Sequence, residues 1–290
     1  MKKIVAIIGP TASGKSDLAR KLIEKFPNLE AISIDSRQIF KRLDLGTGKD
    51  KSFFQHLIDI AEPEENFSVV KFRNLALNTV NKIHQHNKIP LLVGGSPYYM
   101  DAIVYDINFP EVSVNLELRE KLEKMTTSVL YKKLNRLDSA RAENIDPRNR
   151  KRIIRAIEIV ESTGRPVPSL NHKKLRFNTL IIGIDIDRDL LYAKIDKRVN
   201  DRIESGMIKE IRDLISSGIS KAWLKNLGLE YKLITEYLEA KYTRDEMIQK
   251  LKFEIHAFCR RQLTWYRQNK DIIWIDNFTQ AKSLVNDFML

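Results

Sequence analysis

Residues 9–16 are Gly9, Pro10, Thr11, Ala12, Ser13, Gly14, Lys15 and Ser16, a complete GxxxxGK[ST] phosphate loop. Its chemistry is anion binding. Gly9 and Gly14 let the backbone curl until successive N–H groups point at one anion. Lys15 supplies a point charge, and Ser16 a hydroxyl that can ligate a metal. The loop does not specify what carries the phosphates. A second group is Asp35-Ser36-Arg37-Gln38. Asp35 could ligate magnesium, take a proton, or cap a following helix. A third is Val93-Gly94-Gly95-Ser96. Paired glycines permit close approach, and Ser96 can donate to an oxygen at a helix N-terminus.

These groups need elements to aim them. Ile4–Ile8 is a short, β-branched apolar run of the kind that forms a buried parallel strand, and helical spacing follows from Asp17. Further strands are expected at 30–35, 89–93, 179–184 and 272–275, and helices at 15–26, 68–86 and 97–104. All three groups then sit at carboxyl ends of parallel strands, where ligands bind in open α/β sheets. Residues 110–165 read as short charged helices, at 114–124, 127–135, 137–142 and 148–163, without a strong strand. Arg165-Pro166-Val167-Pro168 closes this stretch. Helices over 187–268 complete the core. The expected fold is α/β: a P-loop NTPase-like parallel sheet flanked by helices, with an all-helical insertion. The core covers 1–109 and 170–290, and the insertion 110–169.

A standard P-loop ATPase has an acid where the third strand ends. This chain has Gly94-Gly95 there, which counts against that class. Leu45–Lys49 reads as a flexible polar loop able to close over a substrate. His56 reads as a structural hydrogen-bonding group. Arg260–Arg267 interleaves basic residues with Trp265 and Tyr266. That pattern suits nucleic-acid contacts, or equally an amphipathic helix that packs Trp265 into the core.

The balance of 50 basic against 38 acidic residues gives a net charge of +12. Basic clusters stand at Lys151, Arg152 and Arg155, at Lys173, Lys174 and Arg176, and at Arg260, Arg261 and Arg267. Such an excess favours a polyanionic partner, or is merely solvated. No apolar stretch is long enough to span a membrane. The single cysteine, Cys259, excludes an intramolecular disulfide and is compatible with a reducing cytoplasm. The sequence has no Cys/His metal cluster.

Taken together, the motifs resemble the tRNA dimethylallyltransferase (tRNA isopentenyltransferase) family over nearly the whole chain. The resemblance rests on residues 9–16, Asp35–Phe40, Leu43–Lys49, His56–Ile60, Phe67–Phe72, Leu92–Tyr99, Arg152–Glu158 and Arg260–Trp265. It implies transfer of a dimethylallyl group from dimethylallyl diphosphate to N6 of the adenosine 3′ of a tRNA anticodon. The phosphate loop would then hold diphosphate, with magnesium on Ser16. Asp35 takes the family's base position. Ser96 stands where relatives usually have threonine, and Arg198 is the diphosphate arginine. Implied contacts to the tRNA anticodon stem-loop are Asp35, Ser36, Arg37, Gln38, Ser96, Arg119, Lys151, Arg152, Arg155 and the segment 225–230. Relatives often carry Gly-Tyr-Arg/Lys-Gln where this chain has Gly228-Leu229-Glu230-Tyr231. A compact, cytoplasmic, bacterial-type monomer without the eukaryotic zinc finger is expected. The rival readings are an adenine-nucleotide isopentenyltransferase, a small-molecule P-loop kinase and a non-catalytic tRNA-binding module.

Overall fold

The computed structural model describes residues 2–107, 109–110, 112–168 and 174–290, so Lys173 of the second basic cluster lies outside it. The chain divides into two compact units. One is Met1–Tyr105 with Leu175–Leu290; the other is Asp106–Lys174. The two connecting segments pair with each other. Tyr105 and Leu175 form an antiparallel bridge, and the Asp106 N–H donates to the Lys174 carbonyl at 2.8 Å.

The first unit opens with β1 (Lys3–Ile8), α1 (Lys15–Lys25), β2 (Leu29–Ser33), α2 (Val69–Gln85), β3 (Ile89–Gly94) and α3 (Pro97–Val104). The second unit holds α4 (Leu116–Glu123), α5 (Thr127–Leu137), α6 (Ser139–Glu143) and α7 (Arg150–Thr163). The first unit resumes with β4 (Asn178–Ile184), α8 (Arg188–Glu204), α9 (Met207–Ser216), α10 (Lys221–Leu227), α11 (Leu229–Leu238), α12 (Arg244–Arg267), β5 (Ile272–Ile275) and α13 (Phe278–Met289). The C-terminal α13 was not foreseen from sequence. It lays Ala281 and Val285 into the same core as Val5, Leu22 and Leu91.

The five strands are all parallel, in the order β2-β3-β1-β4-β5. β1 is therefore central: Val5 lies opposite Leu91 of β3 on one side and Leu180 of β4 on the other. Every residue from Ile4 to Ile8 is fully buried, as a strand covered on both faces requires. This order puts the connection leaving β1 between those leaving β3 and β4, the position where α/β sheets open a ligand crevice.

The second unit has its own small core. Leu122, Leu130, Leu134, Ile153 and Ile157 pack together. Arg150 braces it by donating to the carbonyls of Leu122, Glu123 and Met125, at the C-terminal end of α4 and in its following turn.

Candidate active site

The phosphate loop leaves β1 and ends in α1. Gly14, at the N-cap of α1, adopts φ 95° and offers no side-chain cap. Ala12 is also left-handed, at φ 64°. The first N–H groups of α1 thus face outward without an internal acceptor, carrying the positive end of the helix dipole. Lys15 Nζ folds back to the Pro10 carbonyl at 2.6 Å. Burial, and then repulsion from Arg198, push its pKa down to about 7. Arg198, on α8, donates from Nη2 to the Thr11 hydroxyl at 2.6 Å. Burial lowers its pKa to about 10, and its Nε has no partner. Two buried cations with so few acceptors form a site prepared for an anion.

Asp35 follows β2. Its Oδ1 accepts the N–H groups of Arg37 at 2.9 Å and Gln38 at 3.3 Å. The aspartate therefore anchors a turn and caps no helix. Among the described residues nothing bonds its Oδ2. Ser96 follows β3 at the N-cap of α3 without making a cap bond. Its hydroxyl accepts the Ser36 N–H at 3.4 Å, which ties the turn of Asp35 to the loop of Ser96.

Asp35 and Ser96, with Thr11 of the phosphate loop, line one cavity of about 340 Å³. Its polar wall holds Thr11, Asp35, Ser36, Arg37, Ser96 and Arg202, and its apolar wall Tyr98, Tyr99, Leu229, Ile255 and Phe258. Arg202 was missed by the sequence reading. It lies four residues after Arg198, one turn along the same face of α8, so helical spacing was the available signal. Glu230 is 5% exposed. It faces Arg37 at 3.4 Å and Arg202 at 3.8 Å, distances that leave the carboxylate loosely held. The adjoining backbone is left-handed at Leu229, φ 43°. Lys225 pairs with Glu239 at 2.6 Å.

The loop Leu45–Lys49 corrects an expectation. It is anchored, because the Glu210 carboxylate on α9 accepts the N–H groups of Asp44 at 3.0 Å, Leu45 at 2.6 Å and Gly46 at 3.1 Å. The Lys49 ammonium pairs with Asp44 and Asp59. Gly46 and Thr47 are consequently fixed as part of the cavity wall. Glu210 lies some 165 residues from the loop, so no local pattern announced it.

His56 meets Glu30 at 2.6 Å, a structural contact as read from sequence. On α12, Trp265 is half-buried and donates to Asp101 at 3.3 Å. Arg260 bonds the Tyr192 hydroxyl at 2.9 Å. Arg267 stacks on Trp274 and pairs with Asp185 at 2.5 Å.

In the helical unit, Arg119 and Arg155 both close on Glu158, which is fully buried. Burial alone would raise the Glu158 pKa, but the two guanidinium groups and the Asn115 N–H hold it below the ordinary carboxylate value. Lys151 and Arg152 are exposed.

The donor set suits magnesium in one specific way. Among the described residues no three His, Cys, Asp or Glu side chains converge as a metal cage. Of the three hydroxyls in the phosphate loop, Thr11 is engaged by Arg198, Ser13 Oγ is buried without a partner, and Ser16 stands in the first turn of α1. That matches an ion which keeps waters and takes most of its protein-side charge from a substrate's phosphates.

Comparisons with known proteins agree with this architecture. A family described as IPP transferase matches residues 38–269. A tRNA dimethylallyltransferase of Natranaerobius thermophilus is 37% identical over 99% of this chain and 90% of its own length. The one from Acetivibrio thermocellus is 37% identical over 99% of this chain and 96% of its own. The crystal structure of the tRNA isopentenylpyrophosphate transferase of Bacillus halodurans superposes with a TM-score of 0.74 at 33% identity, covering 100% of this chain and 96% of that one. A eukaryotic dimethylallyltransferase captured acting on tRNA gives 0.84 at 25% identity, covering 100% and 80%.

Proposed function

The chain belongs to the tRNA dimethylallyltransferase (IPP transferase) family, and on that premise we propose that it transfers a dimethylallyl group from dimethylallyl diphosphate to N6 of the adenosine 3′ of a tRNA anticodon. It is a prenyltransferase acting on tRNA. The observation that carries the finer reading is the single cavity shared by Thr11 of the phosphate loop, the half-engaged carboxylate of Asp35, and the apolar pair Ile255 and Phe258.

The residues divide the work. Lys15, Arg198 and the loop N–H groups hold the diphosphate, and the five-carbon group lies against the apolar wall. N6 attacks the allylic carbon C1 as its bond to the bridging oxygen breaks, and the electron pair leaves with diphosphate. Oδ2 of Asp35 takes the N6 proton while Oδ1 stays locked in its turn. Ser96 donates to the bridging oxygen, where charge grows. Ser16 would hold a magnesium ion, which would supply positive charge to the departing diphosphate. The adenosine must leave its stack to enter the cavity, which a single-stranded anticodon loop permits at modest cost. Outside the cavity, Lys151 and Arg152 supply phosphate contacts on the helical unit. The proposal extends to a cytoplasmic monomer. Among the described residues no helix is long and apolar enough to cross a membrane.

The test is a transfer assay with radiolabelled dimethylallyl diphosphate and magnesium, offering unmodified tRNA and AMP together. Label in tRNA alone is expected. Label in AMP would move the protein to the nucleotide-prenylating class, and turnover of ATP without label would make it a kinase.

A further inference from the structure

Gln262 has no role in the account so far, yet its place in the fold is unusual. The buried stripe of α12 runs Met247, Leu251, Ile255, Cys259, Gln262 and Tyr266. One amide therefore stands in an apolar seam, 4% exposed. A buried carboxamide costs free energy unless its groups are satisfied. Here both ends are used. Oε1 accepts the Thr11 N–H at 2.9 Å, and Nε2 donates to the Gly95 carbonyl. The two partners are a backbone donor and a backbone acceptor, so they also fix which way round the amide sits. Gly95 must lack a side chain for this contact, because a Cβ there would stand 2.7 Å from Nε2.

Thr11 and Gly95 belong to the two loops that must work together. Thr11 holds Arg198 through its hydroxyl, and Gly95 immediately precedes Ser96. We infer that Gln262 is a positioning residue that clamps the phosphate loop to the Ser96 loop and so sets the spacing between the diphosphate-binding cations and the reacting centre; this rests on the transferase reading above. Its two hydrogen bonds leave no slack. If they are lost, a buried N–H and a buried carbonyl are unpaired, and each loop can drift. A displacement of about 1 Å in such a constellation is enough to cost about a hundredfold in rate.

The experiment compares wild type with Gln262→Met, which keeps the volume and removes both bonds. Gly95→Ala displaces the same amide from the opposite side and covers the case where the helix variant does not fold. Three quantities are read on full-length protein below its melting temperature: the Kd for inorganic pyrophosphate by calorimetry, kcat, and KM for tRNA. Each variant is expected to bind pyrophosphate about tenfold more weakly, the worth of one buried hydrogen bond. Each should also lose about tenfold or more in kcat, with KM for tRNA unchanged. Combining Gln262→Met with Thr11→Val should weaken pyrophosphate binding by less than the product of the single effects, because both act through Thr11. A folded variant with a lower melting temperature but wild-type pyrophosphate Kd and kcat would make Gln262 a packing residue and overturn the inference, as would full multiplicativity in the double variant. Wild type that binds pyrophosphate but prenylates neither tRNA nor AMP would sink the transferase reading instead. The pyrophosphate Kd of the variants still decides the role of Gln262 in that case.

Discussion

Two arginine sites, one in each unit, make opposite use of the side chain. In the core, Arg198 is buried with the neutral Thr11 hydroxyl as its hydrogen-bond acceptor, and its pKa is forced down. In the helical unit, Arg119 and Arg155 are answered at once by the fully buried Glu158. A charge desolvated without a counterion raises the energy of the free protein and waits for a ligand. A charge paired within its own unit stabilises the fold and has little left for a partner. Membership of a basic cluster thus does not fix which of its cations are already paired. Arg152 and Arg155 lie within one turn of α7, yet Arg152 stays exposed while Arg155 is drawn in to Glu158 and the Val112 carbonyl.

The contrast can be broken in four places. The largest effect belongs to Asp35→Asn, which keeps the Oδ1 turn and removes the proton acceptor. Single-turnover transfer should fall by about a thousandfold while tRNA binding holds; a near-normal rate would take the base role from Asp35.

Next is Lys15→Ala, expected to raise KM for the allyl donor by about a hundredfold, the value of a charge-assisted contact to phosphate in a desolvated site. Wild type adds a pH test. Lys15 in the free enzyme has its pKa lowered to about 7, and diphosphate prefers its charged form. Donor KM should therefore climb as pH rises above 7, and Lys15→Arg should flatten that climb. A pH-independent wild-type KM would show that the amine stays charged in the free site.

Third, Glu158→Gln should destabilise the helical unit by about 2 kcal/mol. That is less than a fully buried pair would cost, because Arg119 and Arg155 remain 38% and 36% exposed. The Glu158 carboxyl is held low in the folded state. Its contribution is therefore present above the unfolded carboxyl pKa and lost as pH falls through the folded one. The gap in melting temperature between wild type and variant should be widest near neutrality and close below about pH 4. Pyrophosphate binding in the core should not change; if it does, the two arginine populations are not independent.

The smallest effect is Arg152→Glu. It should weaken tRNA binding several-fold and reduce the slope of affinity against salt by about one phosphate contact, with donor KM untouched. An unaltered salt slope would remove Arg152 from the footprint.

Much of the site was legible because its chemistry is written in short stretches. Gly9–Ser16, set between an apolar strand and a helix, reads as an anion loop, and short apolar runs mark the strands that precede Asp35 and Ser96. The rest was illegible for a common reason. Glu210 reaches the loop Leu45–Lys49 from another helix, and that contact turns an apparently flexible lid into a fixed wall. Arg202 reads as one more surface cation until α8 turns it inward.

By itself, then, the sequence determined the strand–loop–helix at the N-terminus, the parallel α/β class and the helical character of residues 114–163, and it singled out the short stretches around Lys15, Asp35 and Ser96 as candidate site residues. Those properties depend on residues a few positions apart, where backbone sterics and side-chain periodicity act. The tertiary structure alone decided the strand order, which cations are spent on internal partners, and that Gln262 spans 251 residues to meet Thr11. Those depend on which surfaces are buried against each other. Burial makes a hydrogen bond obligatory and moves the Lys15 pKa, and no local pattern encodes it.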